Sequence, residues 1–349
     1  MELDAFHQQW TQLPRTAKRL CVAYSGGLDS HTLLFGLAKT KPAHQTLSAI
    51  HVHHGLHPAA DAWVAHADRV CQDLGLALTV AYAKPAQYPK LSPEAAARMA
   101  RQAAWAQHLS SEGSVLVLAH HVDDQAETIL QRLCRGSGVL GLSGMRPWVL
   151  DPRGYAVWRP FLSMGVDRRA IQDYAQAQDL SWIEDDSNFD LRFDRNFLRQ
   201  HILPQLKTRW PEASAAMART ADLCRKAIEP VQRQAEQDLR ALAYRSEAER
   251  GIHLPERLLK EQAQLQQAIP GTPLSVQALL VLSELRRREA LRLWFYRYGG
   301  YPPSHAQLQR LEIEVLRAYA GGKPRLKIDH REVRRWRDLV FLAQASLPA

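Results

Sequence analysis

The sequence predicts an α/β fold in which a parallel-sheet domain is followed by a mainly helical second domain. Three observations predict it. From residue 17, short apolar runs alternate with helical patterns, which is how βαβ units read. The first run passes straight into a turn of serines and glycines and then into a helical pattern. From about residue 216 the apolar runs give way to a long Ala-, Gln- and Arg-rich helical stretch.

Taken in order, residues 20–24, 47–52, 76–82 and 115–119 read as strands, while 30–39, 59–73, 93–109 and 123–135 carry helical periodicity. Ser92-Pro93-Glu94 offers an N-cap with proline at the first helical position, where its missing N–H costs nothing. Residues 136–162, rich in Gly, Pro and Trp, read as irregular connections. Helices resume at 167–178 and 194–203. In the second domain Pro270-Gly271-Thr272-Pro273 interrupts the helical stretch, more helices run to about residue 319, and 325–328 and 339–342 read as closing strands. The change of pattern places the two domains at 1–215 and 216–349.

A chain of 349 residues with 46% hydrophobic content has enough apolar mass for two or three packed domains. Acids replace the basic start of a secretion signal, and no apolar stretch approaches the ~20 residues of a membrane span, since the uncharged run 42–60 holds five histidines, which favours a cytoplasmic protein with no membrane partner. Cys21, Cys71, Cys134 and Cys224 are scattered, with no CxxC pair, so neither zinc nor an iron–sulfur cluster is expected and buried reduced thiols are. The net charge of +9 is uneven: residues 1–215 hold 22 basic and 21 acidic groups, and residues 216–349 hold 23 and 15. The second domain is therefore the expected polyanion-binding surface, because clustered Lys and Arg gain affinity by releasing counterions from phosphates.

The run Leu20-Cys21-Val22-Ala23-Tyr24 feeds into Ser25-Gly26-Gly27-Leu28-Asp29-Ser30 and then into the helical pattern that begins at His31. A strand-to-helix turn exposes unpaired N–H groups at a helix N-terminus, Gly26 and Gly27 permit positive φ, and Ser25 and Ser30 add hydroxyls, so the segment reads as a cradle for an anion. No Gly-x4-Gly-Lys-Ser/Thr occurs, which argues against a GTPase or kinase. Gly136-Ser137-Gly138-Val139-Leu140-Gly141 matches GxGxxG, but it follows a helical pattern where a dinucleotide site requires a strand. An acid at Asp29 beside phosphate implies an intervening cation, with Mg²⁺ the usual one.

His51, His53, His54 and His57 crowd the end of the second predicted strand, and His120 and His121 follow the fourth. Their spacing fits neither a zinc knuckle nor HExxH. Asp123, Asp124 and Glu127 occupy the first turns of a predicted helix, with Asp124 and Glu127 on one face. Acids there also satisfy the helix dipole, but three beside two histidines at a strand's carboxyl end read as a site suited to an ammonium. Arg195 and Arg199, four apart on a later helix, read as a phosphate clamp or a solvated basic face.

Together these segments resemble the tRNA(Ile)-lysidine synthetases of the N-type, PP-loop ATP pyrophosphatase superfamily. The resemblance rests on Ser25-Gly26-Gly27-Leu28-Asp29-Ser30; His53-His54-Gly55-Leu56; Glu94 with Arg98 and Arg101; the stretch from His120 to Thr128; Arg135-Gly136-Ser137-Gly138; and Asp185-x-Ser187-Asn188 before Arg195-Asn196-x-x-Arg199. Weaker similarity continues to about residue 342 and includes Gly300-Tyr301-Pro302-Pro303-Ser304. It implies an adenine nucleotide alpha hydrolase-like first domain and a reaction in which ATP adenylates the C2 oxygen of the wobble cytidine (C34) in a CAU anticodon. The ε-amine of L-lysine then displaces AMP to give lysidine, and the tRNA reads AUA instead of AUG. By this resemblance residues 25–30 with His53 and His54 bind ATP, Asp29 holds Mg²⁺, and Asp124 and Glu127 hold the lysine ammonium. Arg98, Arg101, Arg195 and Arg199 contact adenylate or RNA, and Asp29, Asp124, Glu127 and Arg195 carry catalysis.

His57 and Gln102 depart from the family pattern, and the extra C-terminal domain of longer members is not in the sequence. Another PP-loop enzyme, such as a tRNA thiolase or an amidotransferase synthetase, and a non-catalytic RNA-binding relative are the alternatives. Paired cysteines or a glutaminase domain would favour the first. Intact Ser25, Asp29, Ser30, Asp124 and Glu127 argue against the second, which nucleotide-free tRNA binding without turnover would favour. Oligomeric state, a homodimer included, is open at this level.

Overall fold

Leu20 and Val22 are buried on one face of the first strand and Cys21 on the other, so this strand can only be central, covered by helices on both sides. In the computed structural model, β1 (Arg19–Ala23) lies between β2 (Thr46–His53) and β4 (Ser114–Val117), parallel to both. The model describes residues 2–349 except 54, 56, 90–92, 110–112, 152, 244–272, 299–301, 320–323, 329–330 and 345–349. His54, Leu56, Ser92, residues 270–272, Gly300 and Tyr301, all singled out in the sequence, therefore lie outside the described residues.

The sheet is completed by β3 (Ala77–Tyr82), β5 (Trp148–Leu150) and β6 (Ala156–Trp158) in the order β3-β2-β1-β4-β6-β5, with only β5 antiparallel. Chain order reverses between β1 and β4, and in open parallel sheets the crevice beyond such a reversal is where ligands bind. Two of these strands correct the sequence reading of 136–162 as irregular. Ala156-Val157-Trp158 is a three-residue strand, too short to show periodicity; buried pairing beside β4 holds it.

Helices α1 (Leu3–Thr11), α2 (Leu28–Thr40) and α8 (Arg168–Ala177) cover one face through Phe6, Leu33, Leu37, Ile171 and Tyr174. On the other face Trp105 of α4 (Pro93–His108) packs with Ile50, Leu116 and Tyr155. Between them in chain order come α3 (Ala60–Asp73), α5 (Val122–Cys134), α6 (Val139–Leu142) and α7 (Pro160–Ser163). After α9 (Asp194–Phe197) the helix widens into a π turn over Leu198–Ile202 before α10 (Leu203–Arg209). Pro204 has no N–H to offer the carbonyl four residues back, which accounts for the loosened turn. Cys21 and Cys71 are buried, but Cys134 is exposed and Cys224 half-buried, so the expectation of buried thiols is corrected for these two.

The chain divides into two compact units, residues 1–225 and 226–349. Helix α11 (Ala213–Leu242) runs through the division. Within the second unit a four-stranded antiparallel sheet, ordered β7 (Leu274–Ser275), β10 (Leu339–Gln344), β9 (Arg331–Trp336), β8 (Arg325–Ile328), packs Val333 and Val340 against Trp294, Phe295 and Leu311 of its helices. The β9 sequence Arg-Glu-Val-Arg-Arg-Trp contains one aliphatic residue, which is why only its flanking partners are readable as strands.

Candidate active site at the sheet reversal

The turn after β1 takes the form its sequence asks for at Gly26, whereas Gly27, with φ −76°, uses no positive φ. Gly26 has φ +86°, and its carbonyl accepts from Ile183 N–H at 2.9 Å. A Cβ at position 26 would stand 2.7 Å from Ile183 Cδ1, the movable tip of that side chain, so it is the positive φ that requires glycine. Ser30 Oγ accepts from Ser25 N–H (3.2 Å), lies 3.0 Å from Ser25 Oγ and donates to Gly27 O (3.0 Å), a ring that closes the loop on itself. Helix α2 starts at Leu28 with no side-chain cap, leaving its first N–H groups aimed out of the loop.

Asp29 Oδ2 accepts from Arg168 Nη1 at 2.7 Å, whereas Oδ1 is buried with no hydrogen-bond partner. Arg168 was not found by sequence reasoning, though a signal existed. Arg168-Arg169 opens α8, where cations oppose the helix dipole, and such a placement asks for an anionic partner.

Across the reversal, β4 delivers His120 and His121 to the start of α5. His121 is fully buried, with Nε2 3.7 Å from Asp29 Oδ2 and 3.5 Å from Asp124 Oδ2. Burial opposes its protonation, but the carboxylates of Asp124, Asp29 and Asp123 outweigh that and hold its pKa above the ordinary value. Asp124 also caps its own helix, accepting from His121 N–H at 3.0 Å.

Asp124 and Glu127 do share a face, and both are occupied. Arg195 spans them, donating from Nη2 to Asp124 Oδ1 (2.6 Å) and from Nε to Glu127 Oε2 (2.5 Å). Arg199 repeats the pattern from the π turn, to Asp124 Oδ1 at 2.9 Å and Glu127 Oε1 at 2.7 Å. Burial would raise the Asp124 pKa, but His121, Arg195 and Arg199 hold it well below the usual carboxylate range. Asp123 faces elsewhere: Lys207 Nζ (2.5 Å) and Arg168 N–H (3.1 Å) bind it, and after the opposing effect of burial they keep its pKa low.

The remaining predicted positions scatter. His51 is buried, with Nδ1 3.0 Å from Tyr24 O. His53 pairs with Asp61 (3.2 Å) and lies against Tyr82; His57 stacks on Trp63. Arg98 and Arg101 are exposed on α4, with Arg101 over the Trp105 ring at 5.3 Å. Gly136 and its neighbours begin after α5, so GxGxxG follows a helix here. Among the described residues, no group of three or more His, Cys, Asp and Glu is arranged to hold a metal ion, and no helix is long and apolar enough to cross a membrane.

The chain itself has known relatives. Residues 2–206 match the PP-loop domain model and residues 274–341 the TilS substrate binding domain model. The chain is 41% identical over 97% of its length to a tRNA(Ile)-lysidine synthase of Xylella fastidiosa (strain 9a5c), covering 70% of that protein. The chain belongs to the tRNA(Ile)-lysidine synthase family. Two more members, from Edwardsiella ictaluri (strain 93-146) and Xanthomonas axonopodis pv. citri (strain 306), are 40% and 42% identical over 93% and 92% of the chain, which covers 68% and 67% of them. Among solved structures, the U34-tRNA thiolase NcsA from Methanococcus maripaludis shares the fold at a TM-score of 0.54 and 15% identity, over 64% of this chain and 79% of that one. The family membership and the parallel-sheet PP-loop domain read from the sequence are thus borne out, and ATP use goes with them.

Proposed function

We propose that this chain forms lysidine on tRNA(Ile), adenylating C2 of the wobble cytidine with ATP and then joining L-lysine to it. The observation that supports this best is His121 Nε2 standing 3.7 Å from Asp29 and 3.5 Å from Asp124. It brings the nucleotide loop and the paired carboxylates into one site, where a two-step transfer needs them.

In the first step the C2 oxygen attacks the α-phosphorus of ATP and pyrophosphate leaves. The open N–H groups at the start of α2 and the hydroxyls of Ser25 and Ser30 hold the departing charge. The orphaned Asp29 Oδ1 fits a cation on its phosphate side, and Mg²⁺ held there with phosphate oxygens would supply charge neutralisation. Arg168 fixes the other Asp29 oxygen and so orients the carboxylate.

In the second step the lysine ε-amine attacks C2 and AMP leaves. The amine, with a pKa near ~10.4, arrives protonated and must first pass a proton to one of the carboxylates beside it. Asp124 and Glu127 hold this ammonium. Both already carry guanidinium partners, so lysine binds as Arg195 and Arg199 give up contacts, and those arginines then take the adenylate phosphate. Residues 1–215 do the chemistry, residues 216–349 bind tRNA with their basic excess, and Arg98 and Arg101 contact the anticodon, whose unpaired bases are readable where helical RNA is not. A tRNA-modifying activity of this kind belongs in the cytoplasm.

The test is turnover with radiolabelled lysine, ATP and tRNA(Ile) bearing CAU against a tRNA with another anticodon. Label confined to the CAU tRNA, with AMP and pyrophosphate released, is the expected result. AMP release without labelled tRNA would retain the nucleotide chemistry and overturn the acceptor.

A further inference from the structure

Two histidines near the carboxyl ends of β2 and β4 have opposite hydrogen-bond demands. His51 Nδ1 lies 3.0 Å from the carbonyl of Tyr24, which has no proton to give, so Nδ1 carries the ring proton. At His120 the partner is the Nε of Arg159, 3.2 Å from Nδ1. A guanidinium has no lone pair to offer, so here Nδ1 must accept and the proton sits on Nε2.

Arg159 is well placed to impose this. It follows β6, whose Trp158 carbonyl accepts from Leu118 N–H at 2.8 Å, and its own N–H donates to Pro147 O at 2.8 Å. Its Nη1 donates to Arg146 O at 2.8 Å, which anchors the far end of the guanidinium. Its side chain bonds the Arg146 carbonyl and His120 and no carboxylate among the described residues, and burial beside Arg98 pushes its pKa down to about 10. This half-buried cation therefore spends its hydrogen bonds on a backbone carbonyl and on His120.

Burial pushes the His120 pKa down to about 3, with Asp124 opposing and Arg159, Arg195 and Arg101 reinforcing. With Nδ1 accepting from a guanidinium, a second ring proton has no place there, so the ring is held neutral. Its Nε2–H makes no hydrogen bond among the described residues, one position before His121 and in the field of Asp124 and Arg195.

We propose that Arg159 is a positioning residue that locks His120 as the neutral Nε2–H tautomer, and that His120 acts as a hydrogen-bond donor to an acceptor oxygen or nitrogen of the substrate rather than as a base. The donor role rests on the function proposed above; the tautomer does not. A neutral donor suits a cytosine that gains charge at its acceptor atoms as the amine attacks C2, since such a donor strengthens with that charge and takes no proton from it.

The tautomer is read by long-range ¹H–¹⁵N NMR on the full chain with ¹⁵N-histidine, the His120 ring being identified by its loss in His120→Gln. The expected spectrum has the proton on Nε2 and no titration from about pH 6 to 9; a proton on Nδ1 would overturn the lock whether or not lysidine is made. Arg159→Met should populate both tautomers and lower kcat by about 10–100-fold with little change in KM for ATP. An Arg159→Met chain that keeps wild-type kcat overturns the positioning role. Glutamine reproduces a donor at the Nε2 position and asparagine does not reach it. Lysine incorporation should fall by about tenfold in His120→Gln and by about a hundredfold or more in His120→Asn. Equal loss in the two removes the donor.

Discussion

Asp29 and Asp124 flank the same histidine, yet one keeps an oxygen with no partner and the other has both oxygens taken. The phosphate loop is an open arrangement of unused N–H groups, hydroxyls and Asp29 Oδ1, whereas the α5 carboxylates form a closed set with two arginines. The difference separates their tasks. A highly charged nucleotide can be met by a site left electrostatically unfinished. A small ammonium needs a site whose acids are kept ionised and in place, and buried carboxylates stay ionised only when cations are beside them.

The largest effect expected of this contrast is at the open side. Asp29→Asn should lower AMP release by about 10²–10³-fold while leaving tRNA binding nearly intact, because it removes charge where the nucleotide's charge moves. Equal loss of binding and turnover would make Asp29 a structural residue.

Next comes the closed side, where Glu127→Gln should raise the KM for lysine by about 10–100-fold with a much smaller change for ATP, the loss of one hydrogen bond to a charged group. An unchanged lysine requirement takes Glu127 out of the amine pocket.

Arg195→Met sharpens the comparison through stability. Arg199 still covers both acids and 36% of the Arg195 side chain is exposed, so solvent screens part of the loss. About 1–2 kcal/mol in a denaturant titration is expected, below what an uncompensated buried charge costs. No loss of stability would mean that the set is not closed.

The smallest effect concerns pH. The raised His121 pKa gives stability that is fully present below the ordinary histidine value of about 6.5 and is lost as pH rises through the folded value. The stability gap between wild type and His121→Gln should therefore shrink toward alkaline pH. Asp124 runs the other way: its lowered pKa gives stability present above the ordinary carboxylate range and lost only in strong acid. A His121 gap that widens with rising pH would reverse the assigned charge.

How much of this was legible depends on distance along the chain. The loop from Ser25 to Ser30 was readable because strand, turn and helix are contiguous and Gly26 answers a local demand on φ. Asp124 and Glu127 were readable as a pair because three residues is nearly one helical turn. Arg195 and Arg199 were readable as a pair too, but their partners lie 68–75 residues away and no periodicity connects them. Strands β5, β6 and β9 escaped for the same reason, since three buried residues or a charged run become a strand only when a neighbour supplies the hydrogen bonds.

By itself, the sequence determined the alternation of strands and helices, the phosphate loop with the glycine that position 26 requires, and the inventory of acids, histidines and arginines. These depend on backbone sterics and on neighbours within a turn. Only the tertiary structure decided which carboxylate is paired and which oxygen is left over, that Arg168 meets Asp29, and on which nitrogen His51 and His120 carry their protons. Each of those is fixed by a donor or acceptor brought in from another strand or helix, and the sheet order β2-β1-β4-β6 is what brings it.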